Sequence, residues 1–206
     1  MRRKRMELFK RIITTVLAAL VLTSCSSMNS AITIGDKEFS TSDVQKPVDE
    51  VLRDRKKVDT SQMQLPEADE LLRNQAQFYI VGILLDRIAA DKKLSVTNAD
   101  IAARRTEILS QVGGEAELPK ALVSASLAQS NLDAYLKILI ISEKLSKDII
   151  LSGVSSEQAA EEVNKIVVAL AKKLGVKVNP KYGKWNPDTA SIESGDLTDG
   201  AVIPAP

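Results

Sequence analysis

The chain has 206 residues, with 28 Lys and Arg against 27 Asp and Glu, a single cysteine and no histidine. Without histidine there are no Ser-His or Cys-His nucleophile pairs and no histidine-based zinc sites, and one thiol cannot form an internal disulfide. Aromatics are only 3% and the apolar residues are mostly Leu, Ile, Val and Ala, a mixture that favours helices.

The first segment is basic, Met1 to Arg11, with Arg2, Arg3, Lys4, Arg5, Lys10 and Arg11 against the single acid Glu7. An apolar run from Ile12 to Leu22 follows and closes as Leu22-Thr23-Ser24-Cys25. Positive, apolar, small: that order marks an export signal, and the apolar run is too short for an ordinary spanning helix. The ending Leu-Thr-Ser-Cys resembles the lipobox of bacterial lipoproteins. There the diacylglycerol-attaching enzyme needs a thiol and the signal peptidase needs small residues before it. An incidental cysteine after an ordinary signal peptide and a buried structural cysteine are the rival readings; the signal-like surroundings favour the lipobox.

On this reading residues 1–24 are a lipoprotein signal peptide and Cys25 is the first mature residue, acylated with diacylglycerol and palmitate. Residues 25–30 are then a lipidated tether, with Ser26 to Ser30 small and polar. One acyl chain gives marginal attachment and two or more hold. The expected location is the cell membrane, lipid-anchored on the extracytoplasmic face. Removing the leader leaves 22 basic and 26 acidic residues, a net charge of about −4. A mildly acidic body argues against nucleic acid as a partner, and the cluster at residues 2–11 reads as signal-peptide charge.

Ala31 to Phe39 reads as a short strand, a Gly35-Asp36 turn and a brief return. Ser40 to Asp43 offers capping side chains. Val44, Val48, Val51 and Leu52 then recur at helical spacing to about Val58, with Pro47 placed in or just after the first turn. After a polar loop at 59–65, Pro66 opens a long helix to about Lys92. So many of its central positions are apolar (Phe78 to Val81, Ile83 to Leu85, Ile88) that it should be surrounded by protein. Thr97 to Asp100 starts a helix with Ile101, Arg105, Ile108 and Val112 on one face, stopped by Gly113-Gly114. Residues 115–128 hold a shorter helix. Asn131 starts another strongly apolar one to about Leu151.

Gly153 breaks the chain, and Ser155-Ser156-Glu157-Gln158 has capping-box spacing. Ala159, Val163, Ile166, Val167, Leu170 and Leu174 then form the cleanest amphipathic pattern, ended by Gly175. Val176-Lys177-Val178 alternates like a strand. Tyr182 and Trp185 read as plugs sealing the returning strand onto the helices; contact with a peptide or glycan is the functional alternative. No Lys or Arg follows Lys184, and residues 187–206 read as a flexible acidic tail. No repeat is present at any fixed period.

Catalytic motifs are missing. No Gly-x-x-x-x-Gly-Lys-Ser/Thr loop occurs, so no nucleotide is implied. The pairs Asp69/Glu70 and Glu161/Glu162 could serve glycoside chemistry only if they faced each other; adjacent helical residues do not, so they read as solvated faces. No recognisable motif singles out a Ser–Lys dyad among the many serines and lysines. The reading is no enzyme: no catalytic residue, no metal site and no cofactor.

Ile34 to Val44, Gly-Asp-Lys-Glu-Phe running into Ser-Thr-Ser-Asp-Val, resembles the opening of the N-terminal chaperone domain of the SurA family. Asp91 to Ile101, with Val96-Thr97 and Asp100-Ile101, is similar to the step between two of that domain's helices. Val178 to Trp185 resembles the closing segment of small lipoproteins of this type. The resemblance implies a mainly α, multi-helix domain over residues 31–186, with a small two-stranded sheet pairing 32–34 with 176–179. Many relatives carry a parvulin-type prolyl isomerase unit. Helix follows helix here from 66 to 174, without histidine, so isomerase activity is not carried over. What remains implied is an ATP-independent holdase for unfolded or partly folded exported proteins, its client-binding residues unknown. The rival is an adaptor lipoprotein docking one folded envelope partner.

Overall fold

Two short alternating stretches, far apart in sequence, meet as neighbouring strands. The computed structural model describes residues 29–195. The chain divides after Ser30, and the architecture below is that of the unit beginning at Ala31. Strand β1 (Ser30–Ile34) turns through Gly35, at φ +57°, into β2 (Lys37–Ser40). On its other edge β1 pairs antiparallel with β3 (Val176–Val178), Ile32 opposite Val178 and Ile34 opposite Val176. This is the pairing expected from the sequence. The sheet has three strands in the order β2-β1-β3 where two were expected, because the return after the Gly-Asp turn also ladders onto β1.

Helix α1 (Thr41–Arg55) opens with a complete capping box: the Ser40 hydroxyl accepts from the Asp43 N–H and the Asp43 carboxylate accepts from the Ser40 N–H. The first residue of the expected capping stretch is the N-cap, so Pro47 falls in the second turn, just after the first. Proline has no N–H, so the Asp43 carbonyl one turn back lacks its helical donor. The Tyr79 hydroxyl supplies one from the next helix, at 3.1 Å.

Helix α2 (Ala68–Asp91) is the axis of the molecule. No residue from Gln75 to Leu85 is exposed, as its apolar density required. Helix α5 (Leu132–Leu151) runs beside it in the same direction: Asn131 lies at Gln75, Lys137 at Asp86 and Asp148 at Lys92. Two parallel neighbours need a crossover. It consists of α3 (Asn98–Val112) and α4 (Leu118–Ser124), the latter shorter than the 115–128 expected. A second capping box, Thr97 with Asp100, starts α3, and Gly113 at φ +96° ends it. No α3 residue is fully buried. Ion pairs tie it to α5, among them Arg105–Asp133 at 2.7 Å and Lys144–Asp100 at 3.1 Å.

Gly153, at φ +100°, turns the chain back into α6 (Ser156–Leu174), whose apolar stripe packs on α2 and α5. The capping box expected at its start is not made: Ser155 is the N-cap, but its side chain caps no backbone N–H. Residues 184–193 are also more ordered than their composition suggests. β4 (Lys184–Asn186) and β5 (Ser191–Glu193) form a second sheet, Trp185 opposite Ile192, with Ala190 and Ile192 buried. The Gln77 amide grips this hairpin, donating to the Ala190 carbonyl and accepting from the Ile192 N–H, both at 2.9 Å. A flexible tail beginning at residue 187 is therefore corrected: residues 187–193 belong to the fold. Among the described residues no helix is long and apolar enough to cross a membrane.

Candidate functional site

Glycine in the middle of a helix costs about 1 kcal/mol relative to alanine, and Gly82 sits in the middle of α2. Its backbone does not require it: an added Cβ would meet only Ile138 Cδ1, at an ordinary 3.5 Å. What glycine leaves there is space. Gln75, Phe78, Tyr79, Gly82 and Asp86 share one face of α2 by helical spacing, and α5 answers with Asn131, Ala134, Tyr135 and Ile138. A concave cavity of about 280 Å³ lies between them, and a second of about 200 Å³, walled by α1, α2 and the α4–α5 connection, shares Phe78 with it.

The larger cavity is lined mainly by Phe39, Phe78, Tyr79, Ile83 and Ile138, with Gly82 between them and Asp86 and Lys137 on its rim. That rim pair is an ion pair at 2.7 Å. Phe39 from β2 stacks on Tyr79 with centroids 4.6 Å apart, and Phe78 meets the same ring edge-on at 5.9 Å. Burial first, then the nearby Asp43 charge, raises the Tyr79 hydroxyl above its ordinary range, while the Gln75 amide opposes the rise. The hydroxyl thus stays protonated and can donate to the Asp43 carbonyl.

The smaller cavity runs from Pro47 and Val51 of α1 past Leu71 and Gln75 to Leu127 and Tyr135. Tyr135 is 38% exposed, one of few large apolar side chains so open to solvent. Where the cavities meet, the buried Asn131 amide donates to Gln75 Oε1 at 2.9 Å. Gln75 Nε2 is itself buried beside the Tyr79 hydroxyl without making a well-formed hydrogen bond. A poorly satisfied donor favours a ligand bringing an acceptor, such as a peptide carbonyl. Small-molecule sites usually span about 300–1,000 Å³, so both cavities sit at or below the small end of that range, a size that suits a single side chain.

The residues weighed in the sequence lie elsewhere. Cys25 falls outside the described residues. Asp69 and Glu70 are exposed in the first turn of α2. Glu161 and Glu162 both pair with Lys165 at 2.9 Å on the surface of α6; these bonds, Glu162 first, push the lysine up to about 12. Tyr182 is 2% exposed and Trp185 packs partly buried against the same core, as plugs would. Among the described residues no group of three or more acidic, cysteine or histidine side chains could hold a metal ion. The groove itself went unread. Phe78 and Tyr79 look like core in an apolar run, and Gly82 was the one available signal. Comparison with known proteins finds no family model, no curated protein and no solved structure that matches the chain.

Proposed function

We propose that this protein is a lipoprotein anchored through Cys25 on the extracytoplasmic face of the membrane. It acts as an ATP-independent holdase for exported proteins. The observation that carries the reading is the pair of adjacent cavities along α2 that share Phe78, with the poorly satisfied Gln75 amide beside them. Adjacent side-chain-sized cavities suit extended segments that bring apolar residues at intervals and backbone carbonyls between them. Burying one Leu or Phe side chain is worth about 1.5–3 kcal/mol, so two anchors give about 3–6 kcal/mol before ordering costs. That range means weak, exchangeable binding, the regime of a holdase and not of a tight adaptor. The β1–β3 pairing lends support through the topology that the SurA-type resemblance implies.

The mature protein is expected to slow aggregation of several unrelated unfolded clients without nucleotide and to leave proline isomerisation rates unchanged. Failure with all of them, together with tight binding of one folded envelope protein, would replace the holdase with the adaptor. The anchor is tested separately. Cys25→Ser should leave uncleaved precursor or shed protein, and an unmodified Cys25 in the mass spectrum of the wild-type mature chain would refute the lipoprotein reading.

A further inference from the structure

The stretch Val176 to Asn186 contains three lysines, one tryptophan, one tyrosine and no acid. The rest of the mature chain is the opposite, 19 basic against 26 acidic residues. Lys177, Lys181 and Lys184 are all exposed, and none makes an ion pair among the described residues. Two acids lie nearby: Asp188 pairs with Lys172 at 2.7 Å, and Glu193, opposite Lys184 across the β4–β5 ladder, accepts from the Asn186 amide at 2.5 Å. The Lys181 ammonium lies 5.5 Å from the Tyr182 ring centre, held near its own strand connection.

This basic stretch is joined to the start of the fold, since the Asn179 N–H donates to the Ala31 carbonyl at 2.8 Å. Ala31 is also where the tether ends. Cys25 precedes it by six residues, a reach of about 20 Å at full extension. An acyl chain on Cys25 therefore holds this end of the fold close to the bilayer, whatever path the tether takes.

We propose that the end of the domain formed by β3, the Pro180–Tyr182 turn and β4 lies against an anionic lipid surface. Lys177, Lys181 and Lys184 contact headgroups, while Trp185, on the face of β4 opposite Lys184 and packed on the core beside Ile192, lies just behind the contact. Lysines near an anionic leaflet are attracted within a Debye length. This proposal builds on the reading of Cys25 as the anchor, and its test separates the two. An acidic body with one basic end would be oriented by the same field, its net negative remainder turned outward toward clients.

Trp185 is the only tryptophan in the chain, so the full mature protein, purified from membranes, carries its own probe. In vesicles of phosphatidylcholine with phosphatidylglycerol, Trp185 emission should be quenched by headgroup nitroxide lipids brought against β4. That quenching should be lost at high salt, in pure phosphatidylcholine, and in the triple variant Lys177→Glu, Lys181→Glu, Lys184→Glu. The milder triple change to Gln, checked for native circular dichroism, guards against misfolding of the first. Equal quenching in both vesicle types, or quenching unaffected by either triple variant, overturns the proposal. So does a response to soluble polyphosphate but not to vesicles. Cys25→Ser protein freed of its basic leader and added to the same vesicles isolates the anchor: salt-reversible quenching there keeps the lipid-facing surface even if Cys25 proves unmodified.

Discussion

The two sides of α2 are packed in different ways. Toward the sheets and α6, Ala76, Ile80, Leu84 and Ile88 are at most 4% exposed and merge into continuous apolar clusters. Toward the first turns of α5, Phe78, Tyr79 and Gly82 leave space unfilled. One side of the helix stores stability, while the other keeps room at some cost to it. Substitutions should therefore separate the two sides cleanly.

The largest effect is expected on the filled side. Leu84→Ala should lose about 2–5 kcal/mol in denaturant unfolding, because the surrounding core cannot collapse around the missing atoms. Phe78→Ala, already beside open volume, should lose well under half of that. Equal losses would mean that the groove is ordinary core. Gly183→Ala should rank next, at about 2–4 kcal/mol. Gly183 sits at φ +124°, and a Cβ there would overlap the Glu193 carbonyl, so β4 and β5 could not pair as they do. Near-wild-type stability of that variant would show that the C-terminal hairpin is dispensable.

Smaller effects probe the helix ends. Thr97→Ala removes a capping box from α3, which has no fully buried residue to hold it, and should lose about 1 kcal/mol. Hydrogen exchange should quicken across 98–112 while α2 stays protected; uniform quickening would contradict the peripheral role of α3. The acid side reports the same caps. Ser40 hydroxyl and backbone hydrogen bonds hold Asp43 below the usual carboxylate range, and the Thr97 N–H followed by Lys144 do the same for Asp100. A folded-state pKa below the unfolded value means that this stability is present above about pH 4 and lost as pH falls through it and lower. Asp43→Asn and Asp100→Asn should flatten that acid limb, and an unchanged limb would remove both carboxylates from the account.

Much of the fold was legible because its punctuation is strong. The Gly35-Asp36 turn, the Gly113 and Gly175 stops and the alternating Val176 and Val178 mark their elements without tertiary help. Three-residue strands are different. Ser191 to Glu193 follows a Pro-Asp-Thr turn and has one apolar residue, so only the grip of Gln77 from α2 makes it a strand. Ser155 had the right spacing for a capping box without the geometry. Ser40, the first residue of the expected capping stretch, caps α1 and so places Pro47 just after the first turn. The groove was hidden for a deeper reason. It exists only because α2 and α5 run parallel across a crossover of about forty residues, and Phe78 next to Tyr79 reads as core until that partner is in place.

Gly82 offers the most direct measurement. Gly82→Ala should raise stability by about 0.5–1 kcal/mol, since the position is helical and has room for a methyl group. Gly82→Leu should stay folded and fill the larger cavity. Forfeiting one anchor of about 1.5–3 kcal/mol would weaken suppression of client aggregation by about tenfold or more. A folded Gly82→Leu protein that protects unrelated clients as well as the wild type would contradict the groove as the client site.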